Sequence, residues 1–495
     1  MLMYTSTRGG GEKINAAKAI IKGIAEDRGL YVPVEIPKLG LAPEALAGKS
    51  YQEIAKLVIG KFFDDFTPEE IAYCVEHAYD SKFAAEEIAP LAKVGTEEPV
   101  YFLELYHGKT AAFKDMALSI LPYLLTTAMK KEQESSKIAI LTATSGDTGK
   151  AALEGFADVP NTEIIVFFPE DGVSEVQKRQ MITQEGENTH VFAIRGNFDD
   201  AQTGVKNLFA DKELAAALLE KGYKLSSANS INIGRLVPQV AYYVYAYAKL
   251  VEVGEIQPGE SIHVTVPTGN FGNILAAYYA REMGIPISKF ICASNENKVL
   301  TDFIGTGEYN SRREFHVTNS PSMDILISSN LERLLYHLSG GNGRLVQTYM
   351  KSLDLEKHYE IEGKIRKALE IFRGGYADQE KTLAAIGEVY DTNGYLMDTH
   401  TAVAYSVYKD DAERTGERTK TVIVSTASPY KFANAVSQGI GLDIEVSDFH
   451  YIASLHEETG MPVPEGLRDL NKKKIRHSDV IDVSRMKDYV WNSLK

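Results

Sequence analysis

From about residue 100 onwards, short apolar runs alternate with stretches in which apolar residues recur every three or four positions. The second pattern is typical of helices, whereas the short runs are rich in β-branched and aromatic residues and predict strands. The strand candidates are Val100–Leu105, Ile138–Leu141, Ile164–Phe168, His190–Ile194, Ile262–Val266, Phe290–Ala293 and Thr421–Val424. Strands that alternate with helices form βαβ units, which build parallel sheets. The alternation therefore predicts an α/β fold.

The chain divides into three predicted domains, because 495 residues exceed one ordinary hydrophobic core. Residues 1–98 show helical periodicity interrupted by prolines and predict a mainly helical N-terminal domain. Residues 132–225 contain several βαβ units and predict a small α/β domain. Residues 99–131 and 226–495 predict a large α/β domain, in which about 296–395 form a helical excursion.

The composition indicates a soluble protein, with 44% hydrophobic and 24% charged residues and no apolar run long enough to span a membrane. The formal net charge of −15 argues against nucleic acid as a partner. Cys74 and Cys292 stand far apart and are expected to be free thiols. No spacing of histidines and acids predicts a metal site. With no secretory signal apparent at its start, the protein is expected in the cytoplasm.

Lys114 follows the predicted strand Val100–Leu105 and precedes a helix predicted from Asp115 to about Lys131, with Asp115 as its N-cap. A lysine is unusual there, because helix N-termini favour negative charge. A buried amine beside partial positive charge loses its proton more readily, which suits Schiff-base chemistry. The alternative is an ordinary solvated lysine on a loop.

The neighbours of Lys114 favour the chemical interpretation. Residues 106–115 read Tyr-His-Gly-Lys-Thr-Ala-Ala-Phe-Lys-Asp. This segment resembles the lysine motif of threonine synthases, which is approximately His-Gly-Pro-Thr-x-Ala-Phe-Lys-Asp. The resemblance implies that Lys114 binds pyridoxal 5'-phosphate and acts in catalysis. Lys109 departs from the motif, since the family most often has proline there.

A second motif, Thr-Ala-Thr-Ser-Gly-Asp-Thr-Gly, occupies residues 142–149 directly after a predicted strand. Small hydroxyls and glycines at such a junction offer backbone amides to an anion, although a plain strand-to-helix turn has a similar composition. The motif resembles the loop that grips the substrate α-carboxylate in fold-type II pyridoxal-phosphate enzymes. The resemblance implies that Thr144, Ser145, Asp147 and Thr148 are substrate-binding residues. The acidic Asp147 is expected to face the cofactor or to cap the helix.

A third motif, Asn-Ser-Ile-Asn-Ile-Gly-Arg, occupies residues 229–235. Its arginine offers a planar fork suited to phosphate oxygens, although a helix start with a surface arginine is the simpler alternative. The motif resembles the threonine synthase segment that contacts the substrate phosphate. The resemblance implies that Ser230 and Arg235 bind this phosphate, with Asn229 and Asn232 beside them.

A fourth motif, Pro-Thr-Gly-Asn-Phe-Gly-Asn, lies at residues 267–273 between a predicted strand and helix. A glycine-rich turn in that position holds a phosphate by backbone N–H groups and the helix dipole. Any strand-to-helix turn can look similar, but this one resembles the cofactor-phosphate cup of threonine synthases. The resemblance implies that the following residues bind the cofactor: Gly269, Asn270, Phe271, Gly272 and Asn273.

A fifth motif, Ser-Thr-Ala-Ser-Pro-Tyr-Lys-Phe, follows the last predicted strand at residues 425–432. It resembles a family segment, Thr-Ala-His-Pro-x-Lys-Phe, and implies that the Thr426 hydroxyl lies near the cofactor's pyridine nitrogen. Ser428 replaces the histidine of that segment. A neighbouring block at residues 398–404 also resembles the family, and its His400 fits a structural role at a helix start as well as a catalytic one.

Together these motifs identify the chain as a member of the threonine synthase family, and residues 4–9 and 27–33 resemble that family's N-terminal domain. The implied fold is fold-type II, similar to tryptophan synthase β, with two parallel-sheet domains and a mainly helical N-terminal domain. The implied activity is a carbon–oxygen lyase that converts O-phospho-L-homoserine and water to L-threonine and phosphate. The implied partner is this small substrate, with no membrane, in a monomer or homodimer.

Two alternatives remain. Another fold-type II lyase, such as a serine or threonine dehydratase or a phospho-amino-acid lyase, needs the lysine and the cofactor cup but not the phosphate-binding residues Ser230 and Arg235. A degenerate relative would bind the cofactor or a partner without catalysis. Such a protein would not need Lys114, Ser230 and Arg235 to be intact. Turnover of phosphohomoserine, compared with that of serine and threonine, separates these alternatives.

Overall fold

The computed structural model describes residues 1–96, 99–171, 173–442 and 447–494. The strands are β1 (Tyr4–Ser6), β2 (Tyr31–Pro33), β3 (Leu91–Val94), β4 (Val100–Glu104), β5 (Lys137–Ala143), β6 (Thr162–Pro169), β7 (Thr189–Arg195), β8 (Tyr223–Ser227), β9 (Ile262–Pro267), β10 (Ile287–Ser294), β11 (Glu308–Asn310), β12 (His358–Glu360), β13 (Phe372–Tyr376), β14 (Thr421–Ser425) and β15 (Val480–Asp482).

The helices are α1 (Ala16–Lys22), α2 (Tyr51–Phe62), α3 (Pro68–Ala78), α4 (Asp115–Leu118), α5 (Leu121–Lys131), α6 (Asp147–Phe156), α7 (Glu175–Ile182), α8 (Phe198–Ala210), α9 (Lys212–Glu220), α10 (Ile233–Glu252), α11 (Gly272–Met283), α12 (Val299–Thr306), α13 (Leu331–Leu338), α14 (Gly343–Glu356), α15 (Gly363–Ala368), α16 (Gln379–Asn393), α17 (Thr399–Thr415), α18 (Ala433–Gly439), α19 (Asp448–Thr459) and α20 (Met486–Ser493).

The larger sheet has six strands in the order β13-β10-β9-β14-β4-β3. Its first five strands are parallel, and β3 pairs antiparallel with β4 at one edge. The inner strands β9 and β14 are buried along their whole length. Continuous apolar runs are typical of parallel strands that helices cover on both faces, so the predicted parallel sheet is confirmed here.

The smaller sheet has five strands in the order β15-β7-β6-β5-β8, and all of its pairings are parallel. Four of these strands come from the stretch that was predicted to form a small domain. The fifth, β15, comes from the C-terminal end of the chain, and α20 packs on the same sheet through Tyr489 against Phe192. The sequence had placed residues 226–495 with the larger sheet, and so the structure differs for this last segment.

The N-terminal region is mainly helical, as predicted. Helices α2 and α3 each begin with a capping box, in which Ser50 pairs with Glu53 and Thr67 with Glu70. Such a box satisfies backbone N–H groups that have no partner within the helix. Within this region, β1 and β2 pair as a two-stranded antiparallel sheet.

Two predictions of secondary structure need correction. The helix expected from Asp115 to Lys131 is split into α4 and α5, because Pro122 has no N–H to continue the helical hydrogen bonds. The helical excursion predicted at about 296–395 contains α12 to α16, but it also includes the strands β11, β12 and, at the edge of the larger sheet, β13. That strand was missed because Gly374 and Gly375 hide its apolar pattern, although it completes the edge of the larger sheet.

The longest helix, α10, lies in the largest hydrophobic core and presents few residues to solvent. It contacts α2 of the N-terminal region and α11, which follows the central strand β9. A helix that is apolar on nearly all sides is buried. Its N-terminal end, where Arg235 lies, is thereby fixed inside the protein.

Within the described residues, no helix has the length and apolar character needed to cross a membrane. The same residues contain no cluster of histidine, cysteine and acidic side chains arranged to hold a metal ion.

Candidate active site

Three of the predicted motifs meet at one edge of the larger sheet. They follow β4, β9 and β14, which are neighbours with β14 in the middle. Because the carboxyl ends of parallel strands meet at the same edge, the loops that follow them converge there. A cavity of 1460 Å³ opens at this edge and is lined by residues from all five predicted motifs.

The loop that carries Lys114 is fastened to the loop after β14. Phe113 donates its backbone N–H to the carbonyl of Thr426 at 2.7 Å, and Ala112 forms an antiparallel bridge with Ala427. The predicted capping role of Asp115 is wrong, because Lys114 is the N-cap of α4 and Asp115 is its first helical residue. The Asp115 carboxylate accepts instead from the backbone and hydroxyl of Thr110, at 2.8 and 2.6 Å.

The Lys114 amine lies in a buried and charged environment. Its Nζ is 3.6 Å from Oδ2 of Asp147 and 3.4 Å from Oγ of Ser322. Burial lowers the pKa of the Lys114 amine; Asp147 acts in the opposite direction, and the positive charges of Lys431 and Arg235 lower it further. A lowered pKa leaves more of the amine neutral, which is the nucleophilic form.

The glycine-rich turn after β9 forms a cradle at the N-terminus of α11. Phe271 has a left-handed backbone with φ of 62°, which turns the chain sharply into the helix. A Cβ atom added to Gly269 would lie 2.5 Å from the carbonyl oxygen of Ser322, so only glycine fits there. The first N–H groups of a helix have no partner within it. The turn therefore presents donors suited to an anion.

The hydroxyl-rich loop after β5 divides into two parts. Thr144, Ser145 and Thr148 line the cavity. The Thr144 hydroxyl also accepts from the N–H groups of Gly146 and Gly149, both at 2.9 Å, which fixes the turn. Three hydroxyls beside a helix N-terminus can donate hydrogen bonds to a carboxylate.

Asp147, predicted among the substrate-binding residues, has a different position. Its Oδ1 forms an ion pair with Nζ of Lys431 at 2.7 Å and accepts from Nε2 of Gln177 at 2.9 Å. Burial acts to raise the pKa of Asp147, but Lys431 and then Lys114 outweigh it and hold that pKa well below its usual range. A buried anion repels a carboxylate, so Asp147 faces the lysines, as expected of its charge.

The motif at the start of α10 places Ser230 and Arg235 at the cavity. Arg235 donates from Nη1 to the carbonyl of Ala228 at 2.5 Å, and its Nε has no partner within the described part of the chain. Burial lowers the pKa of the Arg235 guanidinium to about 10. No acidic side chain of the described residues forms an ion pair with Arg235. Its charge is available to an anionic ligand.

Asn232, the third predicted substrate-binding residue of this motif, needs correction. It is the N-cap of α10, where Oδ1 accepts from Gly234 at 2.9 Å. Its Nδ2 donates to the carbonyls of Ile20 and Ser227, at 3.0 and 3.2 Å. Because these bonds occupy the buried amide, Asn232 has a structural role that fastens α1 to the motif. Asn229 remains at the cavity.

The fifth motif, at residues 425–432, and the neighbouring block at residues 398–404 lie close together. Thr426 lines the cavity, whereas Ser428 is fully buried and caps a short 3₁₀ helix (Pro429–Phe432) through Tyr430. His400 lines the cavity too, and its Nδ1 lies 2.7 Å from Asp398. This contact fixes the imidazole. Its Nε2 then accepts from the backbone N–H of Ser322 at 3.1 Å, so the ring holds the segment that faces Lys114.

Sequence reasoning missed four residues of this region. Lys431 was read as part of a motif but given no role, and Ser322 lies in a segment without any motif. Asn330 donates from Nδ2 to Oγ of Ser230 at 3.0 Å and to the carbonyl of Asn270 at 2.9 Å, which joins two of the predicted loops. Arg333 binds the carbonyls of residues 230 and 231. Only Lys431 carried a signal in the sequence, namely a basic residue inside the fifth motif, shortly after a run of small residues.

The residues present fit the expected cofactor. Nδ2 of Asn273, in the glycine-rich turn, is buried and lacks a partner within the described residues. Buried polar atoms are normally hydrogen-bonded, so this amide suits the phosphate oxygens of the cofactor. Lys114 offers an amine in reach of the same cavity, and Gly269 allows close approach of the backbone.

Three family models match the chain. One described as "Threonine synthase N terminus" matches residues 3–79, and one described as "Pyridoxal-phosphate dependent enzyme" matches residues 85–427. A third, "Threonine synthase, C-terminal", matches residues 401–490. The second alone covers more than half of the chain, and the three together extend over nearly all of it.

The chain is similar to several named proteins. It is 42% identical over 445 residues to threonine synthase-like 1 of Homo sapiens, covering 87% of this chain but 59% of that relative's length. It is 39% identical over 444 residues to a threonine synthase of Pseudomonas aeruginosa, covering 89% of this chain and 91% of the relative.

Two solved structures resemble it along their whole length. One is a threonine synthase from Brucella melitensis with pyridoxal phosphate bound, with a TM-score of 0.87, 36% identity and full coverage of both chains. The other is the yeast threonine synthase, with a TM-score of 0.87, 30% identity and coverage of 99% and 98%.

Proposed function

Because this chain belongs to the threonine synthase family of pyridoxal-phosphate-dependent enzymes, we propose that it converts O-phospho-L-homoserine and water to L-threonine and phosphate, the last step of threonine biosynthesis. The fold-type II class predicted from the sequence is confirmed, and so is pyridoxal phosphate as the cofactor. The reaction itself is the finer statement that we propose.

The observation that carries the proposal is the buried Arg235 guanidinium. It lies without a carboxylate partner in the described structure and lines the same cavity as Ser230 and Lys114. A substrate with a phosphate group would provide the missing negative charge. A dehydratase acting on serine or threonine has no phosphate to place there, so an unneutralised buried arginine favours a phosphorylated substrate.

The residues that would hold the cofactor are Lys114, the turn 269–273 and Thr426. The turn would hold the cofactor phosphate through backbone N–H groups and the dipole of α11. When bound, pyridoxal phosphate supplies an electron-accepting ring that eases removal of protons from the substrate carbons near the amino group.

The substrate would be held at both ends. Thr144, Ser145 and Thr148 would donate hydrogen bonds to its α-carboxylate at the N-terminus of α6. Ser230 and Arg235 would bind its phosphate and stabilise the charge that develops as this phosphate leaves. Holding both ends would place the intervening carbons beside the Lys114 amine, which is the orientation that the proposed reaction requires.

Lys114 would then move protons. Once displaced by the substrate amine, its neutral amino group would take a proton from a substrate carbon and return it at a neighbouring one. Ser322 lies 3.4 Å from Nζ, and the segment around it lines the same cavity. This segment would limit the access of water to the amine until a water molecule is needed as reactant.

The test is an assay of released phosphate and of threonine with O-phospho-L-homoserine as substrate. We expect equal amounts of both products from the native protein and none from Lys114→Ala, which would also lose the visible absorbance band of a lysine-bound cofactor. Lys130→Ala, which changes an exposed lysine, serves as the matched control and should keep full activity. Turnover of serine or threonine without turnover of the phosphorylated substrate would contradict the proposal and favour a dehydratase.

A further inference from the structure

Lys431 is a fully buried lysine that lies between the two sheets. It follows β14 of the larger sheet, whereas its partners Asp147 and Gln180 belong to helices α6 and α7 beside the smaller sheet. A lysine is almost never fully buried unless its charge is paired. The proposed reaction assigns Lys431 no task, although its partner Asp147 is also the neighbour of Lys114.

The Lys431 ammonium has a complete set of acceptors. Its Nζ is 2.7 Å from Oδ1 of Asp147, 3.0 Å from the carbonyl of Thr110 and 3.1 Å from Oε1 of Gln180. An ammonium has three N–H donors, and these acceptors match that number. The three acceptors therefore account for every donor of the Lys431 ammonium.

The Lys114 amine has a poorer environment for a charge. Its distance to the same carboxylate is 3.6 Å, and its other neighbour, Oγ of Ser322, is 3.4 Å away. Asp147 thus directs its shorter contact to Lys431 and its longer one to Lys114. Of the two lysines that share one carboxylate, Lys114 is the one that can give up its proton.

We propose that Lys431 is a positioning residue that holds the Asp147 carboxylate away from full contact with Lys114, so that the Lys114 amine stays available in its neutral form. The charged groups around that amine support this assignment. Among the described residues, Asp147 is the one anion close to the Lys114 amine. Two cations, Lys431 in the loop after β14 and Arg235 on α10, lower the pKa of this amine. Asp115, next to Lys114, is occupied by Thr110.

The sign of the effect follows from these charges. Removing Lys431 takes away a neighbouring positive charge and frees Asp147 to pair with Lys114. Both changes stabilise the ammonium form of Lys114 and raise its pKa. Removing the Asp147 charge has the opposite effect, because Lys431 and Arg235 then repel the ammonium form without compensation.

The inference rests on the proposed role of Lys114, and the rate at which cofactor-free protein captures pyridoxal phosphate tests it. Capture forms a C=N bond between the amine and the cofactor's aldehyde carbon and releases water, and only the neutral amine has the electron pair to attack. The rate is measured across a range of pH by absorbance. Borohydride reduction and mass spectrometry then locate the modified lysine. Ionisations of the cofactor itself are the same for every variant.

We expect Lys431→Met to move the midpoint of this pH profile upward by about one unit or more, the size of a neighbouring charge effect in a buried site. Lys431→Arg should restore the native midpoint, since it keeps the charge. Asp147→Asn should move the midpoint downward. A purely structural role for Lys431 would lower the thermal stability without moving the midpoint.

Each outcome decides between the proposals. A folded Lys431→Met protein with the native midpoint overturns the role of Lys431. If Lys431→Met does not fold, Asp147→Asn decides, and an unmoved or raised midpoint overturns the role. If the native protein is not modified at Lys114 at all, the proposed function fails first, and this result is distinct from an unmoved midpoint.

Discussion

At the scale of single residues, the site depends on charges that are buried and unequally paired. Asp147 has two lysine partners, whereas Arg235 has no acidic partner among the described residues. Removing a charge from water is costly unless an opposite charge or hydrogen bonds replace the water. An uncompensated guanidinium is tolerated in the free protein at a cost in stability, and this cost is recovered when an anion binds.

Arg235→Met should therefore separate stability from activity. We expect kcat/KM for O-phospho-L-homoserine to fall about a hundredfold or more, because the developing charge of the leaving phosphate loses its partner. The melting temperature should stay the same or rise, since a buried and unpaired charge is removed. Enzyme kinetics and thermal unfolding measure the two effects.

Arg28→Met is the matched control for that change. Arg28 lines the same cavity but is exposed, so it tests whether a general loss of positive charge explains the result. Its kcat/KM should stay within a few-fold of the native value. A clear drop in the melting temperature of Arg235→Met would contradict our description of an uncompensated charge.

At the scale of elements, the site is made by strands that end in short turns and lead directly into helices. In the turn after β9, the backbone packs closely against the carbonyl of Ser322. Gly269 and Gly272 both lie in this turn but have different surroundings. A Cβ on Gly269 would overlap with the Ser322 oxygen at 2.5 Å, whereas one on Gly272 would meet nothing closer than 3.5 Å.

Gly269→Ala should weaken cofactor binding, and Gly272→Ala provides a matched comparison. The overlap forces either the turn or the segment around Ser322 to move, which costs about 1–3 kcal/mol in packed structure. This cost corresponds to about a tenfold or greater rise in the Kd for pyridoxal phosphate. Titration of cofactor-free protein, followed by absorbance, measures it. Equal affinities of the two variants would show that the close contact has no effect.

At the scale of the whole molecule, the N-terminal region is part of the support of the site. Nδ2 of Asn232 donates to the carbonyl of Ile20, and Arg8 forms an ion pair with Glu332 at 2.8 Å. The central link is Arg333, which is fully buried and donates to the carbonyl of Tyr31 at 3.0 Å and to that of Ser230 at 3.1 Å. One side chain thus joins the N-terminal region to the loop proposed to bind substrate phosphate.

Arg333→Met should destabilise the protein, in contrast to Arg235→Met. Arg333 satisfies several buried carbonyls and the side chain of Asn330, and these acceptors would lose their donors. We expect the free energy of unfolding to fall by roughly 3 kcal/mol. Arg312→Met, at an exposed arginine, should change it by less than about 0.5 kcal/mol. Chemical denaturation measures both, and equal stabilities would contradict the proposed link.

Much of this protein could be predicted from local sequence. The alternating apolar runs predicted the two parallel sheets because buried parallel strands need nearly continuous apolar residues. The motifs around Lys114 and at 267–273 lie at strand-to-helix junctions because glycine and small hydroxyl residues are suited to such turns. Chemistry that depends on a short segment is visible in that segment.

The tertiary structure decided how distant residues are paired. Lys431 meets Asp147 only because the two sheets pack together, and β15 joins the smaller sheet although it comes from the end of the chain. Asn232 looked like a ligand-binding residue, but its amide is fully used by the backbone of α1 and β8. No local pattern determines which buried donor meets which acceptor, because that choice depends on how the separate elements pack.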